Sequence, residues 1–250
     1  MTDNYIVITR PLEDQKIFSK QLEEIGLQVF LYPTIQIKKA MLTEIEKEEL
    51  KNLDSFDWIL FTSKNGVRYL LDTLDELGIN PSLLTHKKIG VVGPRTAEEL
   101  KDNDLTVDFM PSQFTTEVLA KEFPKAKAQN ILLPRADIAS ETLTKLLIKH
   151  GAKVTNIPIY KTEYLVKPNQ GFEKLLNRHK IAYITFTSPS TIHGFFNSLN
   201  KKSNPSVLSV PVLALGPVTE KAAKKEGFTS VLVADTFTTE GMIKKLKEIV

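Results

Sequence analysis

The chain has 250 residues, is 42% hydrophobic and 25% charged, and carries a net charge of +3. That is ordinary globular composition, too weakly basic for a dedicated nucleic-acid binder, and no apolar run reaches the roughly 18 residues that span a bilayer. Cysteine is absent, which excludes disulfides, thiolate metal sites and cysteine nucleophiles. The first residues, Met1-Thr2-Asp3-Asn4-Tyr5, show no basic stretch leading into an apolar one, so the expectation is a cytoplasmic protein without a secretory signal.

Short β-rich runs alternate with helical periodicity from the start. Tyr5 to Thr9 has strand length, and Leu12 to Ile25 follows with Ile17, Phe18, Gln21, Leu22 and Ile25 at helical spacing. Gly26 closes that helix as a left-handed residue past its end. Val29–Tyr32 and Ile35–Ile37 flank Pro33. Trp58–Phe61 reads as a buried strand before a helix from Lys64 to Leu77, with Gly78 beyond it. Ile89–Val92, a helix from Pro94 to Lys101, a strand at Val107–Phe109 and a helix from Thr116 complete the first half. The second half repeats the plan: Ile131–Leu133, a helix over Ser140–His150, Val154–Ile157, then strands at Tyr183–Phe186, Val212–Leu215 and Val231–Val233, each followed by a helical stretch. Such alternation predicts an α/β fold of parallel sheets covered by helices.

The chain also repeats its words. Phe61-Thr62-Ser63 returns as Phe186-Thr187-Ser188, 186 − 61 = 125 residues on. Arg10, Gly26 and Pro33 return at the same shift as Arg135, Gly151 and Pro158. Gly93-Pro94-Arg95-Thr96 returns as Gly216-Pro217-Val218-Thr219, and Phe114-Thr115-Thr116-Glu117 as Phe237-Thr238-Thr239-Glu240, both 123 residues on. Two copies of one αβ unit are expected, with a ligand held between them.

In parallel α/β sheets ligands sit beyond the carboxyl ends of the strands. The repeated Ser/Thr signatures fall there, each ending a strand and starting a helix. Their hydroxyls can cap the helix, and the same free N–H groups can receive a carboxylate or phosphate. Four such starts favour an anion-binding cleft. Arg10 and Arg135 both follow a first strand and precede a helix, where a guanidinium can fork onto a carboxylate or form a structural salt bridge. Tyr160, in Pro158-Ile159-Tyr160-Lys161-Thr162, stands where the first copy has Ile35, so it breaks the symmetry. It is either a half-buried edge residue or the seat of directed chemistry. Gly90-x-x-Gly93 lacks the third glycine of a dinucleotide fingerprint, and no Walker A or His-Glu-x-x-His sequence occurs. The four histidines are scattered, so no metal site is expected.

Together these residues resemble uroporphyrinogen-III synthases: Thr9-Arg10-Pro11, Trp58 to Ser63, Val91 to Pro94 with Thr96, Pro158 to Thr162, Phe186 to Ser190, Leu215 to Thr219 and the Phe237 to Glu240 close. The resemblance covers nearly the whole chain. It implies two flavodoxin-like domains with parallel sheets, joined by a two-stranded β-ladder. Residues 1–35 would pack with 168–250 and residues 41–162 would form the other domain, with crossings near 36–40 and 163–167. It implies closure of the linear tetrapyrrole hydroxymethylbilane into uroporphyrinogen III, with loss of water and inversion of ring D through a spiro intermediate, in haem biosynthesis. No cofactor is implied, nor any nucleic-acid or membrane partner beyond a transient contact with the preceding pathway enzyme. The family's functional tyrosine falls on Tyr160, assisting departure of the hydroxyl. Its binding positions fall on Thr62, Ser63, Thr96, Ser188, Ser190 and Thr219, with Lys64, Arg10 and Arg135 as further substrate contacts. Some members have Thr where this chain has Val218, so a backbone N–H contact is expected there. Apart from the resemblance, a non-catalytic two-domain binding protein for a small anion fits the same pattern, and a nucleotide-dependent transferase would need a Gly-rich loop that is missing.

Overall fold

The computed structural model describes residues 4–124, 127–166, 169–199 and 205–249, so the expected boundary at residues 167 and 168 lies outside the described residues. In chain order the elements are β1 (Tyr5–Ile8), α1 (Leu12–Glu24), β2 (Gln28–Leu31), β3 (Ile35–Lys39), α2 (Glu44–Lys51), β4 (Trp58–Phe61), α3 (Lys64–Glu76), β5 (Lys88–Val91), α4 (Pro94–Lys101) and α5 (Thr116–Glu122). There follow β6 (Asn130–Ala136), α6 (Thr142–Lys149), β7 (Lys153–Tyr164), α7 (Gln170–Asn177), β8 (Ile181–Phe186), α8 (Pro189–Ser198), β9 (Val212–Ala214), α9 (Pro217–Glu226), β10 (Val231–Val233) and α10 (Thr239–Ile249). Helix ends follow local chemistry. Gly26 and Gly78, with φ of 83° and 67°, take the left-handed turn past α1 and α3 that a side chain would resist.

The chain divides into two compact units, Met1–Ile37 with Glu163–Val250, and Lys38–Thr162. One sheet has the order β10-β9-β8-β1-β2 and the other β3-β7-β6-β4-β5. Within the first, β1 pairs in parallel with β2 and β8, and β9 with β8 and β10. Within the second, β4 pairs in parallel with β5 and β6, and β6 with β7. Under the repeat, β1 corresponds to β6, β2 to the start of β7, β4 to β8 and β5 to β9. The two sheets therefore share one spatial arrangement, β2-β1-β8-β9 and β7-β6-β4-β5, reached in different chain order. In the first unit the strand pair joined by α1 comes first in the chain. In the second the equivalent pair, joined by α6, comes last.

The cores follow the period of two along each strand. In the first unit Val7 joins a cluster with Phe172, Phe186, Ile192 and Phe195 on one face, while Ile6 and Ile8 join Phe18, Leu22, Leu213 and Met242 on the other. In the second unit Trp58, Leu60, Ile131 and Leu133 pack with Leu119, Phe123 and Leu143.

Three features depart from the sequence reading. The expected strand at Val107–Phe109 is reduced to a single parallel bridge, Gly90 to Phe109. Asp108 explains this, because its carboxylate accepts the Ile89 N–H at 2.8 Å in place of a ladder carbonyl. Next, β7 runs unbroken for 12 residues through Pro158, well past the expected strand at Val154–Ile157. The missing proline N–H is accommodated beside a register shift between Arg135 and Ala136. Finally, α2 was not anticipated, although Thr43 and Glu46 form a reciprocal capping box at its start.

Candidate active site

In each sheet the chain leaves two neighbouring strands in opposite directions, which opens a crevice at their carboxyl ends. In the second unit these strands are β6 and β4. β4 ends at Phe61, and Thr62-Ser63 turns into α3. Ser63 is extended, with φ −158° and ψ 155°, and its Oγ accepts the Gly66 N–H at 3.1 Å, capping the helix. The same Oγ shares a 2.8 Å hydrogen bond with the Oη of Tyr160. Tyr160 lies on β7 opposite Ala136 and is 7% exposed. Its ring stacks on Tyr69 of α3, with centroids 5.7 Å apart and planes at 24°. Burial pushes the Tyr160 phenol above the ordinary tyrosine range. The Ser63 hydrogen bond and the Arg135 charge oppose that rise, while Asp137 and Tyr69 add to it.

Arg135 is buried in β6. Its Nη1 donates to Thr144 Oγ1 at 2.9 Å and Asn156 Oδ1 at 3.0 Å, and its Nη2 donates to the Ser140 carbonyl. Burial lowers its pKa, and the Glu141 carboxylate and Tyr160 work against that. Its fork is thus fastened to its own scaffold, and its charge reaches Tyr160 through space. Asp137 fixes the end of β7, accepting the Thr162 N–H at 3.2 Å while its own N–H donates to the Tyr160 carbonyl. Lys64 is the first residue of α3, half-buried beside Ser63. Thr96 is buried in the first turn of α4, on the neighbouring strand-to-helix connection.

In the first unit the corresponding strands are β1 and β8. Their ends are cross-tied, Thr9 Oγ1 donating to the Thr185 carbonyl and Thr185 Oγ1 to that of Val7. Arg10 is 7% exposed, donates to Thr239 Oγ1 at 3.3 and 3.4 Å, and lies 4.9 Å over the Phe18 ring. Ser188 caps α8, accepting the Thr191 N–H at 3.4 Å, and shares a 2.8 Å hydrogen bond with Ser190. Thr219 is buried in the first turn of α9, and Val218 beside it is 65% exposed.

Tyr160 lies within β7, where its pairing with β6 ends, and every other residue expected at a site sits at or just past a strand's carboxyl end or in the first turn of the helix that follows. Of the four repeated helix starts, the capping role holds at Ser63 and Ser188. At α4 and α9 the cap is glycine, Gly93 or Gly216, with no side chain bonded to the helix start. Half-exposed Phe114 and Phe237 instead lie against those two glycines. The structure brings Ser63 and Tyr160 into contact across 97 residues of sequence. Tyr69 was missed. Its signal was legible in the repeat, because 69 + 125 = 194 and Gly194 stands there in the other copy. Among the described residues no group of three or more His, Asp or Glu is arranged to hold a metal ion, and no helix is long and apolar enough to cross a membrane.

The family described as uroporphyrinogen-III synthase HemD matches residues 16–244. A porphyrin biosynthesis protein HemD from Ruminiclostridium josui is 34% identical over 246 residues, which are 98% of this chain and 48% of that protein. The chain thus spans about half of that relative. A putative uroporphyrinogen-III synthase from Methanocaldococcus jannaschii is 30% identical over 250 residues, 98% of each chain. Among solved structures, a uroporphyrinogen III synthase variant from Thermus thermophilus matches with a TM-score of 0.72 at 20% identity over 98% of both chains. A uroporphyrinogen-III synthetase from Helicobacter pylori matches with a TM-score of 0.64 at 18% identity, covering 99% of this chain and all of its own. These two likenesses establish the α/β fold with parallel sheets. The sequence match, running through both copies of the repeat, establishes more: the chain belongs to the uroporphyrinogen-III synthase family.

Proposed function

We propose that this chain closes hydroxymethylbilane into uroporphyrinogen III, as a cyclising hydro-lyase of tetrapyrrole biosynthesis. The observation that carries the reading to specific atoms is the hydrogen bond between the hydroxyls of half-buried Ser63 and buried Tyr160 in a chain from this family. The hydroxymethyl C–O bond breaks as its oxygen takes a proton and departs as water, leaving an azafulvene cation that the pyrroles stabilise. The substituted carbon of ring D attacks to give a spiro intermediate. At the spiro carbon the older bond, to the methylene shared with ring C, then breaks and leaves the azafulvene cation on ring C; ring D turns over, and its free α-carbon closes onto that methylene and releases its proton. Tyr160 Oη donates to the departing oxygen and recovers its proton at the end. The phenol is protonated at neutral pH, as a donor must be, and burial moves its ionisation further from that range.

The helix starts receive the substrate's carboxylates. In the second unit these are Thr62, Ser63, Lys64 and Thr96, with the charge of Arg135. In the first they are Ser188, Ser190, Thr219 and the backbone N–H of Val218, with the charge of Arg10. We read the two units as flavodoxin-like domains joined by a ladder of β3 and β7. The unit boundaries fall inside both strands, and β3 lies beside β7, which supports this. The reaction takes place in the cytoplasm without a cofactor. A transient contact with the enzyme that supplies the bilane belongs to the same reading, because the free bilane closes spontaneously. A non-catalytic anion-binding protein is the less favoured alternative, since it leaves the family match unexplained.

Incubating the purified chain with hydroxymethylbilane and resolving the porphyrin isomers tests the reading. The type III product is expected to predominate. Type I alone, at the uncatalysed rate, would overturn it.

A further inference from the structure

We infer that Tyr69 is a positioning residue that holds Tyr160 in register with Ser63, an inference resting on the role proposed for Tyr160. Ser63, Gly66 and Tyr69 recur at intervals of three, so they lie along one side of the start of α3. That side meets β6 closely: a Cβ at Gly66 would lie 2.8 Å from the Pro134 carbonyl oxygen. One helix therefore meets Tyr160 twice, with Ser63 on its hydroxyl and Tyr69 against its ring. The ring separation of 5.7 Å at 24° is an offset stack of the kind aromatic pairs favour.

The repeat supplies an internal comparison. The counterpart of Tyr160 is Ile35, and that of Tyr69 is Gly194, so both members of the pair change together. At Gly194 no side chain fits, because its Cβ would strike the Thr34 carbonyl oxygen and lie 2.9 Å from Ile35 Cγ2. Flanking positions keep their character across the copies. Val67 and Leu70 are buried, as are their counterparts Ile192 and Phe195. Tyr69 itself is only half-buried. Core packing is thus supplied by its neighbours, and the aromatic at 69 accompanies the aromatic at 160.

The test is a double-mutant cycle with Tyr69→Leu, Tyr69→Phe and Tyr160→Phe, following type III product formation. Tyr69→Leu is expected to lower kcat about 3–10-fold with KM changed less than about twofold, the size of a lost aromatic stack. Tyr69→Phe keeps the ring and is expected to restore most of the rate. In the Tyr160→Phe background Tyr69→Leu is expected to cost nothing further. A second readout needs no turnover: the ionisation of Tyr160, taken from ultraviolet difference spectra between chains with and without its hydroxyl, should move down towards the ordinary value in Tyr69→Leu. Full additivity of the two rate losses, or an unmoved Tyr160 ionisation in Tyr69→Leu, would overturn the inference. Should Tyr160→Phe turn over at the full rate while that ionisation still moves, positioning by Tyr69 stands and the proton-donor role of Tyr160 falls.

Discussion

Replacing Tyr160 with phenylalanine is expected to slow type III formation about 10–100-fold, the lower range of general acid effects. The variant removes one oxygen and leaves the ring, so the stack on Tyr69 survives. Ser63 keeps its bond to the Gly66 N–H, so the start of α3 stays capped. The stability cost is that of one hydrogen bond, about 0.5–1.5 kcal/mol. A large fall in rate with a small fall in stability is the signature of a group acting on the reaction. An unchanged rate in a folded Tyr160→Phe chain would remove Tyr160 from the chemistry. The pH dependence follows from the raised phenol pKa. A raised folded-state pKa means that the folded chain holds this proton more tightly than the unfolded one. The resulting stability is fully present below the ordinary tyrosine value of about 10 and is lost as pH rises through the folded value. Denaturant unfolding of the wild type should therefore weaken more steeply above that pH than unfolding of Tyr160→Phe. Through the neutral range the phenol stays protonated and contributes no inflection to the rate.

Local signals carried the elements well and the pairings poorly. The bounds of α1, α3 and α4 were legible because periodicity and a terminal glycine or proline agree there. α2 was not, because Glu44–Lys51 is so charged that periodicity fails: its apolar residues are Ile45, 76% exposed, and buried Leu50. The capping box at Thr43 was the better signal. The repeat indicated two copies of a unit, but not that β2 and β3, three residues apart around Pro33, enter different sheets. Strand partners are settled by packing over the whole sheet, and no feature of the Pro33 segment alone records them. The site shows the same division. Ser63 was legible as a helix start and Tyr160 as a break in symmetry, yet their contact depends on the registers of β4, β6 and β7. Arg10 and Arg135 were left open between substrate and scaffold. Their inward bonds to Thr239, 229 residues away, and to Thr144 and Asn156 involve neutral side chains that no charge pattern announces.

Gly66→Ala should destabilise the second unit and slow turnover together, although alanine is the better helix former. In an open helix the exchange gains up to about 1 kcal/mol. Here the added Cβ would lie 2.8 Å from the Pro134 carbonyl oxygen, a distance at which something must shift. The obstacle cannot yield easily, because it belongs to β6, which pairs with β4 on one side and β7 on the other. The first turn of α3 must lift instead. Overpacking of this kind costs about 1–3 kcal/mol, so the clash outweighs the gain in propensity. Lifting that turn strains the Ser63 cap on the Gly66 N–H and draws Ser63 away from Tyr160. A misplacement of about 1 Å can cost on the order of 100-fold in rate, so a fall of about 10-fold or more in type III formation is expected. Urea midpoints and isomer-resolved rates on the same preparation check both halves. A variant that gains stability and keeps its rate would show that α3 has room to spare against β6, and that Ser63 and Tyr160 need no such close fit to meet.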